Sequence, residues 1–385
     1  MVLKGGVMKK TIHLKISVLR KKRGITQQEL GDALGVSYQT ISKWENGVTM
    51  PDIIMLPELA EFFHVTVDEI LGLKPLEQEE YLSRKTETKE YWEKKLDYLL
   101  RTRRSHWNTD YMKFLIDHVW KLDSPVRILD CGCGYGFLGL LMIPLLPEGS
   151  TYTGIDFADS LIEEGNKIFL SSGIRGEFIK KDFYQYSSTQ KYDIVICQAV
   201  LRHISSPEAF LSKMIDHGKD GAWIICIDTN REFECDGLYI DGMDYNYLCD
   251  HMGLDKSWKM ELEHEGRDYA VAMRTAYIMK RYGLKHIEIR MNDKVSFVHP
   301  EAEGYEQLME DFMESNGWNH GSNETQLEKS TEYMINHGMS RKEADSFLHK
   351  NLLIADYMKR NKGNISYTHL IGSMITFGRK VFESL

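Results

Sequence analysis

The chain has 385 residues, 42% of them hydrophobic, and a formal net charge of −9. This length and apolar content suit two or three globular domains, and the acidic balance argues against a protein that binds nucleic acid along its whole length. The charge is uneven, because residues 1–49 carry nine lysines and arginines against three acids. That part has a net charge of about +6, so the rest carries about −15. We therefore expect a small basic module joined to a larger acidic body.

The cysteines and the apolar segments bear on metal binding and location. None of the six cysteines forms a CxxC pair, so we expect neither a zinc site nor a disulfide framework. The first ten residues have no apolar run behind their lysines, and the longest apolar segment, residues 137–146, is too short to span a bilayer. These features predict a cytoplasmic protein with no membrane contact and no bound metal.

Residues 1–73 are predicted to form an all-α module of short helices. Thr26 followed by Glu29 is a capping box at the start of the second helix. Gly35 ends that helix, and Ser37 opens the third. This short spacing between the second and third helices is typical of a helix-turn-helix. In the third helix, Ile41 and Trp44 are expected to face inward.

The stretch "ITQQELGDALGVSYQTISKWENG" resembles the Cro/repressor type of helix-turn-helix domain. The resemblance implies binding to double-stranded DNA, and reading two half-sites implies a homodimer. A protein-interaction module that has lost DNA binding is the alternative. The residues expected at base edges are Ser37, Tyr38, Gln39 and Lys43; those expected at phosphates are Gln27, Asn46 and the basic cluster at 20–23.

After a charged segment at 74–105, predicted to be a linker leading into a solvated helix, the hydrophobic pattern changes. Residues 106–235 contain five apolar strand candidates, most of them separated by helix-length segments, which predicts a parallel α/β sheet covered on both faces. Residues 236–385 are predicted to complete the sheet and to cover a ligand-binding pocket, with polar helices over 301–360. Two late strand candidates, "HIEIR" and "KVSFV", are expected to close the sheet as a hairpin.

The stretch "ILDCGCGYG", residues 128–136, is a strand that ends in Asp130 and runs into a turn with glycine at every second position. Such a turn exposes backbone N–H groups. A dinucleotide is one candidate ligand, since Gly134, Gly136 and Gly139 match GxGxxG, but Asp130 would repel its pyrophosphate. A ligand with an amino-acid moiety fits better, because the carboxylate of Asp130 accepts from its ammonium while backbone N–H groups hold its carboxylate.

These residues and the later strands resemble class I S-adenosylmethionine-dependent methyltransferases, in "ILDCGCGYG", "TGID", "KKDFYQY" and "YDIVICQAVLRHI". The resemblance covers about residues 106–230. It implies a Rossmann-like α/β fold with a seven-stranded sheet and S-adenosylmethionine as the cofactor. The residues it places at the cofactor are Asp130, Gly132, Gly134, Asp156, Phe157, Asp182, Phe183 and Gln198, and Arg103 is a further candidate for the cofactor carboxylate.

The acceptor is predicted to be a small molecule. The segment after the fourth strand, "CQAVLRH", has neither the Asp/Asn-Pro-Pro-aromatic motif of DNA amino-methyltransferases nor the Pro-Cys nucleophile of carbon-5 RNA methyltransferases. The sequence does not identify the general base; His203 is a candidate catalytic residue and equally a packing residue. The main alternative is a transcriptional regulator that senses S-adenosylmethionine without turnover, and an NAD-linked oxidoreductase is a third.

Overall fold

A computed structural model describes residues 14–72, 96–204, 206–265, 267–318 and 324–381. The chain forms two compact units: residues 14–72 lie in the first, and the described residues from Leu96 onward lie in the second. Most of the predicted linker, residues 74–95, lies outside the described residues. Within the described ranges, every helix is too short or too polar to span a membrane.

The first unit is a bundle of short helices with its own apolar core. Its helices are α1 (Ile16–Lys22), α2 (Gln27–Leu34), α3 (Tyr38–Glu45), α4 (Met55–Phe63) and α5 (Val67–Ile70). The predicted capping box of Thr26 and Glu29 is confirmed at the start of α2. Gly35 ends α2 with φ of 68°, a left-handed conformation that favours glycine. Ile41 and Trp44 are 0% and 5% exposed, so their predicted inward orientation is also confirmed.

The second unit alternates strands and helices through its first half. Its helices are α6 (Leu96–Thr102), α7 (Thr109–Phe114), α8 (Phe137–Met142), α9 (Asp159–Ser171), α10 (Pro207–His217), α11 (Arg231–Asp236), α12 (Tyr245–Cys249), α13 (Leu254–Glu265), α14 (Val271–Arg281), α15 (Tyr305–Ser315), α16 (Glu324–Asn336) and α17 (Arg341–Arg360). Its strands are β1 (Arg127–Cys131), β2 (Thr151–Asp156), β3 (Gly176–Lys180), β4 (Tyr192–Gln198), β5 (Gly218–Thr229), β6 (Leu238–Ile240), β7 (Lys285–Met291), β8 (Val295–Val298), β9 (Tyr367–Leu370) and β10 (Ser373–Arg379).

Seven strands form one twisted sheet in the order β3-β2-β1-β4-β5-β10-β7. The five predicted strands β1 to β5 run parallel to one another, and β10 lies between β5 and β7 and is antiparallel to both. The prediction that "HIEIR" and "KVSFV" close the large sheet as a hairpin is wrong for the second of these strands. Residues 295–298 pair with β9 in a separate three-stranded sheet, β6-β9-β8, and the missing strand of the large sheet comes instead from residues 373–379 near the end of the chain.

Both faces of the large sheet are covered, as the continuous apolar strands predict. Along β4, Ile194 and Ile196 pack with α6 to α9 on one face, whereas Val195 and Cys197 pack with α10 and α14 on the other. The small sheet packs with α15 and α17 in a third apolar cluster. The predicted helical content of 301–360 is confirmed by α15, α16 and α17. This arrangement leaves the carboxyl ends of β1, β2, β4 and β5 at one edge, where parallel α/β sheets place their ligand sites.

Candidate active site

The glycine-rich turn after β1 folds back against its neighbours and leaves space on its open side. The backbone N–H groups of Gly132 and Cys133 donate to the carbonyl oxygen of Ile155, at 2.8 and 3.0 Å. A Cβ atom on Gly132 would lie 2.7 Å from the side chain of Val200. A Cβ atom on Gly134 would have no neighbour nearer than 3.9 Å, although its φ of 56° still favours glycine. The turn therefore offers a small ligand bare backbone beside an open space.

Asp130 is a buried carboxyl group that is only half satisfied. Its side chain is 1% exposed. Its Oδ2 accepts a hydrogen bond from the hydroxyl of Tyr152 at 2.8 Å, whereas its Oδ1 is buried without a partner in the described residues. Burial raises the pKa of Asp130 to about 7, against the opposing effect of the Tyr152 hydrogen bond. A buried oxygen without a donor is costly, so this site suits a ligand that brings one.

Asp156 links the end of β2 to the glycine turn. Its Oδ2 accepts from the backbone N–H of Gly134 at 2.8 Å, and its Oδ1 accepts from that of Ala158 at 2.9 Å. Burial raises the pKa of Asp156, although these backbone hydrogen bonds lower it. Each carboxylate oxygen has a second lone pair, so Asp156 can hold the turn and still accept from ligand hydroxyls.

Asp182 and Phe183 follow β3 at the far end of the same edge. The Oδ1 of Asp182 accepts from the backbone N–H of Tyr184 at 2.9 Å, which fixes this half-buried carboxylate at the start of a short 3₁₀ turn. Phe183 is 5% exposed and packs against Phe210, with ring centroids 4.8 Å apart. Most of the Phe183 ring thus faces the core, and half-buried Phe157 is the more accessible aromatic group.

The turn after β4 carries Gln198 and His203. Ala199 has φ of 56°, a left-handed conformation that costs a non-glycine residue roughly 1–2 kcal/mol. This sharp turn leads into a 3₁₀ segment, Leu201–His203. The Nε2 of His203 accepts from the Nε of Arg202 at 3.0 Å. Burial, followed by the charges of Arg202 and Arg267, lowers the pKa of His203 well below its ordinary value, so its imidazole is neutral at pH 7.

Arg103 approaches the same edge from the segment before β1. It lies in a 3₁₀ turn, Arg103–His106, and burial and the nearby charge of Arg202 lower its pKa. Among the described residues, Arg103 has no hydrogen bond or ion pair of its own. Arg101 instead pairs with Asp97 at 2.8 Å. Of these two arginines, only Arg103 lines the cleft described next.

One cleft of about 1000 Å³, open to solvent on one side, brings the predicted residues together. It is lined by every residue that the sequence placed at the cofactor and by His203: Arg103, Asp130, Gly132, Gly134, Asp156, Phe157, Asp182, Phe183, Gln198 and His203. The Oδ1 of Asp130, which has no partner in the described residues, and the guanidinium of Arg103 match the ammonium and carboxylate of an amino-acid moiety. These residues fit S-adenosylmethionine.

Sequence reasoning missed two buried groups at this edge. Tyr152 holds Asp130 from the neighbouring strand, and no pattern in "TYTGID" singles it out. Asp228 ends β5, is 3% exposed, and has neither carboxylate oxygen hydrogen bonded within the described residues. A signal for Asp228 was available, because an aspartate follows an isoleucine or leucine at or next to the last residue of β5 ("CID"), just as in β1 ("ILD") and β2 ("GID").

In the first unit, the predicted base-reading residues form an exposed face on α3. Ser37, Tyr38, Gln39 and Lys43 are all exposed. The residues predicted at phosphates differ in their exposure. Half-buried Gln27 donates to Glu45 at 2.7 Å, whereas Asn46 is exposed and donates to the carbonyl oxygen of Ser42 at 2.8 Å.

One member of the predicted phosphate-binding cluster is not available in this structure. Arg20 is bound to Glu45 through its Nε at 2.6 Å, and the two side chains are 12% and 5% exposed. The guanidinium of Arg20 thus stabilises the helical bundle, whereas Lys21 and Arg23 of the same cluster remain exposed.

Comparison with known proteins agrees with both units. Residues 16–70 match the helix-turn-helix family, and residues 92–289 match a methyltransferase domain family. Because the second match covers more than half of the chain, the protein belongs to this methyltransferase family. The match of residues 92–289 to the family is the basis for this statement.

Individual relatives are more distant. The ubiquinone biosynthesis O-methyltransferase of Rickettsia felis is 31% identical over 108 residues, 28% of this chain and 43% of that protein. Its counterpart in Salmonella newport is 27% identical over 121 residues, 31% of this chain and 49% of that protein. The chain spans about half the length of the curated relatives it matches. Phosphoethanolamine N-methyltransferase 2 of Haemonchus contortus, solved with phosphomonomethylethanolamine and S-adenosylhomocysteine, is 12% identical, with 77% of this chain and 59% of that one covered and a TM-score of 0.42.

Proposed function

We propose that the protein transfers a methyl group from S-adenosylmethionine to a small-molecule acceptor. The observation that carries this proposal is the convergence of all nine predicted cofactor residues on one cleft, where one of them, Asp130, has a buried oxygen without a partner in the described residues. When bound, S-adenosylmethionine supplies an electrophilic methyl group on a sulfonium with a neutral thioether as leaving group. A displacement of this kind depends mainly on positioning and on the exclusion of water.

In this proposal the four charged residues predicted at the cofactor each bind one part of it. The Oδ1 of Asp130 accepts from the ammonium, and the guanidinium of Arg103 donates to the carboxylate. Asp156 accepts from the ribose hydroxyls, and Asp182 accepts from the adenine amino group. Phe157 packs on the adenine ring, while Gln198 contacts the methionine part at the end of β4.

His203 fits a contact residue better than a general base. Its Nε2 lone pair already accepts from Arg202, and its lowered pKa disfavours the protonated ring. Taking a proton at Nε2 would require that hydrogen bond to break. We therefore leave the general base unassigned and place His203 beside the acceptor.

For the first unit we propose binding to double-stranded DNA as a cytoplasmic homodimer, with the exposed face of α3 in the major groove. Two observations on α3 support this role: Gln39 and Lys43 are exposed, and Ile41 and Trp44 on the same helix are buried in the core. A chain that binds its own operator would couple methyl-transfer chemistry to transcription.

Transfer of a tritiated methyl group from S-adenosylmethionine to a small-molecule extract of the host tests the enzymatic proposal. We expect label in the low-molecular-weight fraction and none with an Asp130→Ala variant. A protein that binds S-adenosylhomocysteine, labels nothing, and changes its DNA affinity with the cofactor would instead be a regulator that senses the cofactor.

A further inference from the structure

Strand β7 lies at one end of the large sheet, and one of its two edges has no partner strand among the described residues. In the sheet order, β7 is the last strand and pairs with β10. His286 near its start has φ of 51°, and the register with β10 shifts there, so the regular part of the strand is residues 287–291. An unpaired edge presents N–H and C=O groups that can pair with another chain. We call the outer side of residues 287–291 the free edge.

The backbone groups that face the free edge follow from the pairing with β10. The N–H of Asn292 donates to the carbonyl oxygen of Ser373 at 2.8 Å, so the backbone of Asn292 points toward β10. Successive residues of an antiparallel strand point their backbone groups to alternate sides. The N–H and C=O groups of Ile287, Ile289 and Met291 therefore point outward, where a further strand could pair with them.

The side chains of the free edge are apolar on one face of the sheet and charged on the other. Ile289 and Met291 lie on one face and are 43% and 42% exposed. Glu288 and Arg290 alternate with them on the opposite face, where the two side chains form a partly exposed ion pair at 3.1 Å. An exposed strand edge with apolar side chains is a template for association.

Two aromatic rings of α7 extend the apolar surface beside the free edge. The hydroxyl of Tyr111 donates to the carbonyl oxygen of Met291 at 3.0 Å, as expected for a carbonyl that points away from β10. That oxygen keeps a second lone pair for another donor. The ring of Tyr111 stacks on Phe114, with centroids 6.1 Å apart, and Phe114 is 42% exposed.

The charges of the free edge are self-complementary in one register. Two copies of the chain related by a two-fold axis pair antiparallel, and each contact occurs twice. An axis at Glu288 would bring two carboxylates together, and an axis at Arg290 would bring two guanidinium groups together. Like charges directly opposite each other are destabilising. An axis at Ile289 instead places Glu288 of each copy opposite Arg290 of the other.

The same register satisfies the backbone. With the axis at Ile289, this residue pairs with Ile289 of the second copy, and Ile287 pairs with Met291. These are the positions whose backbone groups point outward, so each pair exchanges hydrogen bonds across the interface. The two apolar Ile289 side chains meet at the axis, and the large sheets of the two copies become one continuous sheet.

We propose that the free edge of β7 is a homodimer interface, at which a second copy of this chain pairs antiparallel about Ile289 with reciprocal ion pairs between Glu288 and Arg290. This inference rests on the proposed homodimer and names its interface. The two helix-turn-helix units of such a dimer are joined through the second units and need no contact of their own.

Single charge reversals in the full chain test this register. Glu288→Arg brings two cations together at each ion pair, and Arg290→Glu brings two anions together. Each variant should raise the dissociation constant of the dimer about a hundredfold or more, so light scattering at micromolar concentration should find a dimer for the parent chain and a monomer for each variant. An equimolar mixture of the two variants restores opposite charges between the chains and should be dimeric. The ion pair within each chain stays broken in that mixture, so recovery identifies a contact between chains.

Hydrogen exchange distinguishes strand pairing from a contact of side chains alone. Peptides that cover residues 287–291 should exchange their amide hydrogens more slowly in the parent dimer than in the monomeric variants, because the outward N–H groups of Ile289 and Met291 are bonded only in the dimer. Equal exchange in the dimer and the monomers would overturn the strand pairing.

Glu208→Arg is the matched control, because it reverses one charge of an exposed ion pair with Arg281, outside β7. It should remain dimeric, and melting temperatures and the affinity for S-adenosylhomocysteine show whether each variant keeps its fold. Folded Glu288→Arg and Arg290→Glu variants that stay dimeric would overturn the β7 interface and leave the proposed homodimer intact. Monomeric variants whose mixture stays monomeric would overturn the pairing of Glu288 with Arg290. A monomeric parent chain would overturn both the interface and the proposed homodimer, without bearing on methyl transfer.

Discussion

The two units bury carboxylates in opposite ways. In the helix-turn-helix unit, Glu45 accepts from Arg20 and Gln27, and these bonds hold its pKa below the ordinary value although burial raises it. In the cleft, burial raises the pKa of Asp130 to about 7, and one of its oxygens has no donor within the described parts of the chain. The first carboxylate is satisfied by the chain itself and stabilises the fold, whereas the second is incomplete until a ligand supplies the missing donor.

The exposed groups differ in the same sense. The side chains of α3 that are predicted to read bases are exposed, as are Lys21 and Arg23 of the predicted phosphate-binding cluster, so the proposed binding to DNA is expected to respond to salt. The groups of the cleft that are proposed to bind the cofactor are buried or half-buried, so their interactions are expected to respond to pH. If this contrast is correct, changes in the cleft should have large effects on ligand binding, and changes on α3 should have small, salt-dependent effects.

The largest effect is expected from Gly134→Val, which fills the open space beside the turn. We expect affinity for S-adenosylhomocysteine to fall by at least about a hundredfold, because the new side chain occupies the volume of the ligand's amino-acid moiety. Gly173→Val is the matched control: Gly173 has φ of 67°, no neighbour within 4 Å and no place in the cleft. Both variants should lose about 1–2 kcal/mol of stability through backbone strain. Titration calorimetry that finds equal ligand affinities for the two would disprove the assignment.

Asp156→Ala should weaken S-adenosylhomocysteine binding by about 1.5–3 kcal/mol, which corresponds to the loss of a charged hydrogen bond to the ribose. The variant also releases the backbone N–H groups of Gly134 and Ala158, so the glycine turn should lose some of its order. Asp159→Ala is a suitable control, since Asp159 pairs with Lys180 at the partly exposed start of α9. Unchanged affinity by calorimetry would remove Asp156 from the binding site.

The pH dependence of ligand binding tests whether Asp130 must be ionised to bind the ligand. Asp130 must ionise to accept from an ammonium, and its pKa in the fold is about 7. Affinity for S-adenosylhomocysteine should therefore rise about tenfold between pH 6 and pH 8. The stability of the ligand-free protein changes with pH in the opposite direction. The pKa of this carboxyl group is near 3.8 in the unfolded chain and about 7 in the fold, so the free protein becomes less stable as the pH rises from about 4 to 7.

Three variants separate Asp130 from other groups that titrate in this range. Asp130→Asn should abolish the pH dependence of ligand binding. Tyr152→Phe removes the hydrogen bond that favours the ionised form, so the curve should move to higher pH. Asp228→Asn should leave the curve in place, although Asp228 also has a pKa of about 7. A curve that does not move in Tyr152→Phe would mean that Tyr152 only fills space.

The success of sequence reasoning differs between short-range and long-range features. The capping box at Thr26, the inward Ile41 and Trp44, and the strands that end in Asp130 and Asp156 depend on neighbouring residues, and the sequence predicts them. The position of β10 depends on pairing between residues 373–379 and β5, more than 140 residues earlier. No local pattern specifies such a partner, so residues 295–298 were assigned to the wrong sheet.

The same distinction applies to side-chain partners. Motif spacing predicted all of the cofactor residues except Arg103, because they lie at or just after the ends of strands of one sheet. It did not predict that Arg20 binds Glu45, since the partners lie 25 positions apart and exposure alone cannot be read from a basic cluster.

The smallest effects are expected on the DNA-facing side. Lys43→Ala should weaken DNA binding by about 1 kcal/mol and relax the sequence preference at one base position. This loss is near the lower end of the free energies expected for a base contact, because lysine makes a single-point interaction. Lys21→Ala should weaken binding severalfold on every sequence and reduce the slope of log affinity against log salt by about 1. Lys167→Ala, an exposed change in the other unit, should alter neither. Gel shifts with the chain's own upstream DNA at several salt concentrations measure all three.

Arg20→Ala sharpens the contrast between the two units. This variant breaks the pair with Glu45, so it should lower the melting temperature of the first unit, and the loss of DNA binding should follow from unfolding. If Arg20→Ala instead keeps its stability and behaves like Lys21→Ala, then Arg20 contacts phosphate after all. The distinction between a carboxylate satisfied by its own chain and one completed by a ligand would then not hold for Glu45.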